Sequence, residues 1–280
     1  MAYSVHAGPL ASDCNGCNGG HGARARRLAT MSRARRADGT PAACRILQAG
    51  DQALVVEFGD AIDARLNRLV QALDRRVAAA KIDGVIESVP TYRSLMIVYD
   101  PLRIRAAALR RQIEKLVPKS AAAETPARRW TLPVAYGGAH GLDLEDVARA
   151  HDLSTDEVIA LHSGAEYRVY MIGFSPGLAY LGGLPEPLHT PRRVSPRLKV
   201  PPSSVAIGGI QAAVFSVEIP SGWHLLGRTP ERLFDLRRAQ PFLLAAGDRV
   251  RFVPVSAAAY ERLAAITARG EVVAECEAGT

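Results

Sequence analysis

The chain has 280 residues, 48% hydrophobic and 22% charged, with a formal net charge of +7. That length supports one large or two ordinary domains with a real core, and the composition is that of a globular protein. No apolar run approaches the roughly 20 residues of a membrane-crossing helix, and no basic segment leads into an apolar stretch as in a secretory leader. The expectation is therefore a cytoplasmic protein with no membrane partner.

The positive charge is concentrated at the N-terminus. Arg24, Arg26, Arg27, Arg33, Arg35, Arg36 and Arg45 face only Asp13 and Asp38. Residues 1–43, rich in Gly, Ala, Arg and Asn and without apolar periodicity, read as a disordered basic tail. Met31 lies inside it, so a later start and a true basic arm explain it equally well. No nucleic-acid partner is expected for the folded part. Cys14 and Cys17 form a C-x-x-C followed by His21, but no second pair completes a zinc site, so no bound metal is expected. The dispersed cysteines suit a reducing compartment.

Residues 45–117 read as a small N-terminal α+β domain. "ALVVEF" is a strand. After Asp60, the spacing of Ile62, Leu66, Leu69, Val70, Leu73 and Val77 draws one face of a helix. "GVIESVP" and "SLMIVYD" are two strands around a turn at Thr91–Arg93, and Ile104, Leu109, Ile113 and Leu116 mark a second helix. Residues 118–129, with two prolines and no periodicity, read as a linker.

Residues 130–280 open with a strand, "WTLPVAY". Two short helices follow, the first capped by Asp143 and the second by a capping box of Ser154 and Glu157. "YRVYMIGF" is a buried strand. The rest, to about Ser256, is short apolar runs broken by Gly and Pro, which argues for a β-barrel or sandwich. A helix over Ala257–Ala268 and a strand at "EVVAEC" finish the chain.

There is no P-loop, no strand-anchored G-x-G-x-x-G, no G-x-S-x-G elbow and no H-E-x-x-H. What remains lies between His162 and Pro230. In "GFSPGLAYLGGLPE" the glycines, Gly182 and Gly183 among them, permit positive φ and close backbone approach to a ligand. "TPRRVSPRLKVPP" sets Arg192, Arg193, Arg197 and Lys199 on a proline-stiffened segment suited to carboxylate or phosphate, although a solvated basic loop fits the same composition. In "SGWHLLGRTP", strand alternation puts His224 and Arg228 on one face and Trp223 on the other. Gln211 offers an amide donor and acceptor.

"LHSGAEYRVYMIGFSPGLAYLGGLPE", "TPRRVSPRLKVPPSSVAIGGIQ", "GWHLLGRTP", "LFD" and "AGDRVRFVPV", in this order, resemble the 5-oxoprolinase B-type family. That family is also called allophanate hydrolase subunit 1 or Kip-type kinase inhibitor, and its domain is similar to the C/D half of a urea-carboxylase carboxyltransferase. "GDQALVVEFGD" through "VPTYRSLMIVYDP" resembles the family's N-terminal part. The resemblance implies an α+β fold, a small α/β sandwich followed by a cyclophilin-like β-barrel. It further implies a hetero-oligomer with the 5-oxoprolinase C and A subunits, inactive alone, converting 5-oxoproline, ATP and water to glutamate, ADP and phosphate. ATP with Mg would be used by the assembled complex. Tyr180, Arg197, Gln211, Trp223 and Arg228 match the family pattern, and the expectation is that Arg197, Gln211 and Arg228 serve catalysis while His162, Tyr180, Gly182, Gly183 and Trp223 bind substrate. The alternatives are a non-enzymatic regulator that binds a histidine kinase, or a subunit of an allophanate or urea amide hydrolase. The chain departs from the family pattern at Leu178, Ala179, Pro202, Ser203, Ala212, Ala213 and Ser221, and Ala135 stands where Cys is common.

Overall fold

A computed structural model describes residues 44–121 and 127–279. The tail at 1–43, its Cys14 and Cys17, and linker residues 122–126 lie outside these.

The N-terminal part is a four-stranded antiparallel sheet with two helices on one face. Its strands are β1 (Arg45–Ala49), β2 (Ala53–Glu57), β3 (Val85–Pro90) and β4 (Ser94–Tyr99), in the order β1-β2-β4-β3. Strand β1, which pairs along its whole length with β2, is an addition to the sequence expectation; its alternation is weak because only Ile46 is buried. Helix α1 (Ala64–Ala80) opens at Asp63, not after Asp60, because the Asp63 carboxylate accepts from the Arg65 and Leu66 amides at 2.8 and 3.0 Å. Leu69, Val70, Leu73 and Val77 pack with Leu109 and Ile113 of α2 (Ala106–Leu116) against Leu54, Val56, Leu95 and Ile97.

The larger part is a closed barrel. Strands β5 (Arg129–Tyr136), β6 (Glu166–Ile172), β7 (Ala179–Gly182), β9 (Ser204–Gly208), β10 (Gln211–Val214), β12 (His224–Arg228) and β13 (Arg249–Pro254) run in the order β12-β9-β10-β7-β6-β13-β5. The ring closes where Gly227 and Arg228 pair with Tyr136 and Ala135. Closure leaves no long free edge. A short β14 (Glu275–Glu277) adds to β5, starting later than the "EVVAEC" run implies. Inward residues of the seven strands, Val134, Val169, Leu181, Ile207, Val214, Leu226 and Phe252 among them, fill the interior. Helices α3 (Leu144–Ala150) and α4 (Thr155–Gly164) supply Leu144, Val147 and Val158 to the same core. The expected capping box of α4 is present, with Ser154 and Glu157 exchanging side-chain and backbone bonds. Helix α5 (Ala257–Ala268) ends the chain's helical content.

A third core lies on the barrel's outer wall. Leu178, Ala206, Ala213, Phe215, Trp223 and Leu225 are covered by a ribbon of β8 (Arg197–Val200) and β11 (Ile219–Ser221), through Val200 and Ile219. This wall positions the candidate site.

Candidate functional site

Three of the predicted residues converge on the outer wall. Tyr180 on β7 sits opposite Ala213 of β10, two residues from Gln211 on the same strand face. Trp223 lies against β9, its ring meeting Tyr180 edge-on with centroids 6.0 Å apart. Gly208 makes this possible, since a Cβ there would stand 2.8 Å from Trp223 Cδ2.

The N-terminal part completes the group with a residue that sequence reasoning passed over. Tyr92, in the turn between β3 and β4, reaches the barrel wall and donates its phenol proton to Gln211 Oε1 at 2.9 Å. Its ring packs on Tyr170 and Tyr180 at centroid distances of 5.3 and 6.1 Å. Asn67, fully buried in α1, fixes this placement: its Nδ2 donates to the carbonyls of Thr91, Tyr92 and Tyr170 at 3.2, 3.4 and 3.1 Å. Burial, with Tyr180 and Tyr170 beside it and Arg192 opposing, pushes the Tyr92 phenol well above its ordinary range. It is therefore a proton donor at neutral pH, and Gln211 is left with its two N–H groups to offer elsewhere. An aromatic residue at the tip of a hairpin turn was the available signal.

The basic segment divides by role. Asp143, expected to cap α3, makes no capping bond. It is instead a fully buried carboxylate gripped at 2.7 Å by both Nη atoms of Arg197 and by Arg193 Nη1, and at 2.8 Å by the Leu225 amide. Burial raises its carboxyl, but Arg197, the Leu225 amide and Arg193 outweigh it and hold the group below its ordinary value. Arg197 is thus committed to an internal ion pair. Arg192 has no ion pair among the described residues, and its guanidinium stacks over Trp223, 5.4 Å from the ring centroid.

The remaining predicted residues lie elsewhere. Arg228 and His224 do not share a face. Strand β12 carries an irregularity between Leu225 and Gly227, so Arg228 pairs with outward Ser204 and His224 with inward Ile207. Arg228 stands at the far end of β9 from Gln211, donating to the Pro202 carbonyl at 3.1 Å beside the Tyr260 ring. His162 is fully buried between Tyr167 and the stacked Phe252 ring, its Nδ1 2.8 Å from the Tyr136 hydroxyl. Burial lowers its pKa to about 3, so it is a neutral imidazole inside the core. Gly182 makes room for a ring: a Cβ there would meet Tyr170 Cε2 at 2.2 Å. Gly183 has φ +106 and approaches the Glu166 carbonyl.

The departures from the family pattern are mostly internal. Leu178 and Ala213 belong to the outer-wall core, and Ala179 and Ala212 to the barrel interior, all essentially without solvent exposure. Ser203 holds φ +62, a conformation glycine adopts more easily, and donates to the Glu231 carbonyl at 2.9 Å.

The family model of the carboxyltransferase domain, subdomain C and D, matches residues 44–244. Over 222 residues the chain is 38% identical to the B subunit of 5-oxoprolinase from Bacillus subtilis, covering 75% of this chain and 92% of that protein. Among solved structures, TTHA0988 is 35% identical with a TM-score of 0.65, covering 73% of this chain but only 40% of that longer one. The Kluyveromyces lactis urea amidolyase shares the fold, with a TM-score of 0.72 at 21% identity, over 84% of this chain and 16% of that one.

Proposed function

The chain belongs to the family of the carboxyltransferase domain, subdomain C and D, and on that footing we propose that it serves as the B subunit of an ATP-dependent 5-oxoprolinase. In this reading it acts with C and A subunits in the cytoplasm and is inactive alone. The observation that carries the proposal is the convergence of Tyr180, Gln211 and Trp223 with Tyr92 on one face, presenting amide donors beside aromatic walls. That combination suits a small planar cyclic amide: rings to pack its faces, and N–H groups to donate to its carbonyl oxygen.

A lactam is a stabilised amide and a poor electrophile. Phosphorylation of its oxygen lets water add at the carbonyl carbon. Collapse then expels the ring nitrogen and leaves an acyl phosphate, which a second water hydrolyses to glutamate and phosphate. Such a sequence needs positioning and charge stabilisation more than a protein nucleophile. This chain's part is to hold the lactam, with Gln211 donating to the developing oxygen charge and Tyr92 keeping that amide oriented. Arg197 contributes through Asp143, by fixing the segment that borders the site. Arg228, Gly183 and His162 act at a distance, in the barrel's construction. Mg is assigned to the nucleotide as substrate; no three His, Cys, Asp or Glu side chains gather into a metal-binding group among the described residues. None of the chain's helices among the described residues is long and apolar enough to cross a membrane.

The test is glutamate formation from 5-oxoproline and ATP by the purified chain with its candidate A and C subunits, each omitted in turn. Activity should vanish when this chain is left out. Undiminished glutamate formation without it, or an assembled complex that makes none, would defeat the assignment.

A further inference from the structure

We propose that Arg192, held over Trp223, is the anchor for a ligand carboxylate, so that the site selects cyclic amides bearing an acid group. This rests on the lactam-binding reading above and adds to it the residue that recognises the substrate's acid group. Of the arginines in the basic segment, Arg193 and Arg197 are locked onto buried Asp143. Arg192 alone of the three projects from the protein without a carboxylate partner among the described residues, and it is exposed.

Its position is nonetheless fixed. On one side, Thr190 forms a bridge with Gly209, its amide and carbonyl bonded at 3.1 and 2.6 Å, and the Pro191 carbonyl lies 2.8 Å from His224 Nε2. On the other side, the Arg193 amide donates to the Gly222 carbonyl at 2.8 Å, and its guanidinium is tied to Asp143. The backbone on either side is therefore pinned close to Gln211 and Trp223, at Gly209 in the β9–β10 turn and at Gly222 between β11 and β12. The Trp223 face underneath restricts the guanidinium plane, which lowers the entropy lost on forming a two-point bond. Trp223, beneath the guanidinium, also meets the Tyr180 ring edge-on at 6.0 Å, which places the charge beside the amide-binding group. An unpaired, preorganised guanidinium next to the N–H groups of Gln211, whose oxygen Tyr92 holds, matches a molecule with a carboxylate and a ring amide a few bonds apart.

The experiment compares two ligands on the assembled complex without ATP: 5-oxoproline, and 2-pyrrolidinone, which keeps the lactam and lacks the acid. Equilibrium binding is measured for the native chain, Arg192→Ala and Arg192→Lys. Loss of a charge-assisted pair predicts 5-oxoproline binding about 10- to 100-fold weaker in Arg192→Ala. Arg192→Lys should fall between, and 2-pyrrolidinone binding should be unchanged in all three. Equal weakening of both ligands would make Arg192 a structural residue and overturn the proposal. So would unaltered 5-oxoproline binding, or no saturable 5-oxoproline binding by the native complex. Arg192-dependent binding without ATP-driven turnover would uphold the carboxylate site while defeating the enzymatic reading.

Discussion

The Tyr92 hydroxyl donates to Gln211 Oε1 at 2.9 Å, although the two residues belong to different layers of the molecule, a turn of the N-terminal sheet and a strand of the barrel. Asn67 holds the turn in place by bonding carbonyls on both sides of the boundary. The N-terminal part therefore acts as more than an adjoining domain: it orients an amide on the barrel wall. A barrel without it would retain Tyr180 and Trp223 but leave Gln211 to rotate freely.

Replacing Tyr92 by Phe tests that dependence. The rings still pack on Tyr170 and Tyr180, so the melting temperature should change little. The lost bond frees the Gln211 amide, and a net hydrogen bond of about 1 kcal/mol predicts a three- to tenfold drop in kcat/KM for 5-oxoproline. Unchanged kinetics would show that the Tyr92 bond has no positioning role.

Asp143 is the anchor of the basic segment, and Asp143→Asn keeps its shape while removing its charge. Two partly buried guanidiniums then lose their counter-ion, a change that costs about 3 kcal/mol. Urea unfolding should register that loss. Because the folded carboxyl lies below its ordinary value of 3.8, the pair stabilises the protein above that pH and is lost as pH falls through the depressed range. The Asn variant should lack this portion of the acid sensitivity.

Gly208→Ala examines the seat of Trp223. A Cβ 2.8 Å from Cδ2 forces the indole away from β9 and takes Arg192 with it. A red-shifted tryptophan emission should accompany a raised KM for 5-oxoproline, with kcat less affected. A variant with native emission and native KM would mean the shelf tolerates the methyl.

Features set by neighbours in the chain were legible from residues alone. The Ser154–Glu157 capping box and helix α5 over Ala257–Ala268 appear where periodicity and capping put them. Long-range pairing was not. Arg192, Arg193 and Arg197 are one residue type in one short segment, and only Asp143, some fifty residues earlier, distinguishes them. Gly182 reads as an approach point for ligand, but the atom it accommodates is the Tyr170 ring across the sheet. An extra residue in β12 was enough to reverse the expected pairing of faces for His224 and Arg228. Tyr180 and Gln211 came through because they sit on the short, regularly paired strands β7 and β10, and Trp223 because its large ring, just ahead of β12, needs a wall to pack on.

His162 provides the clearest pH signature. Burial lowers its pKa to about 3 against an ordinary 6.5, so the folded protein holds it neutral while the unfolded chain protonates it below about pH 6.5. Its contribution to stability is complete above that pH and shrinks as pH falls, by about 2 kcal/mol at pH 5. His162→Gln retains a partner for the Tyr136 hydroxyl but does not titrate. The variant should be less stable than the native chain at pH 7.5, with the gap narrowing by about 2 kcal/mol at pH 5. Since the imidazole lies within the core and away from the outer wall, KM for 5-oxoproline at pH 7.5 should stay within about twofold of native, a change under ~0.5 kcal/mol. Denaturant melts at the two pH values, with steady-state kinetics at the higher one, separate the possibilities. Parallel stability curves would mean that His162 is protonated in the folded state, and a large rise in KM would return it to the ligand site.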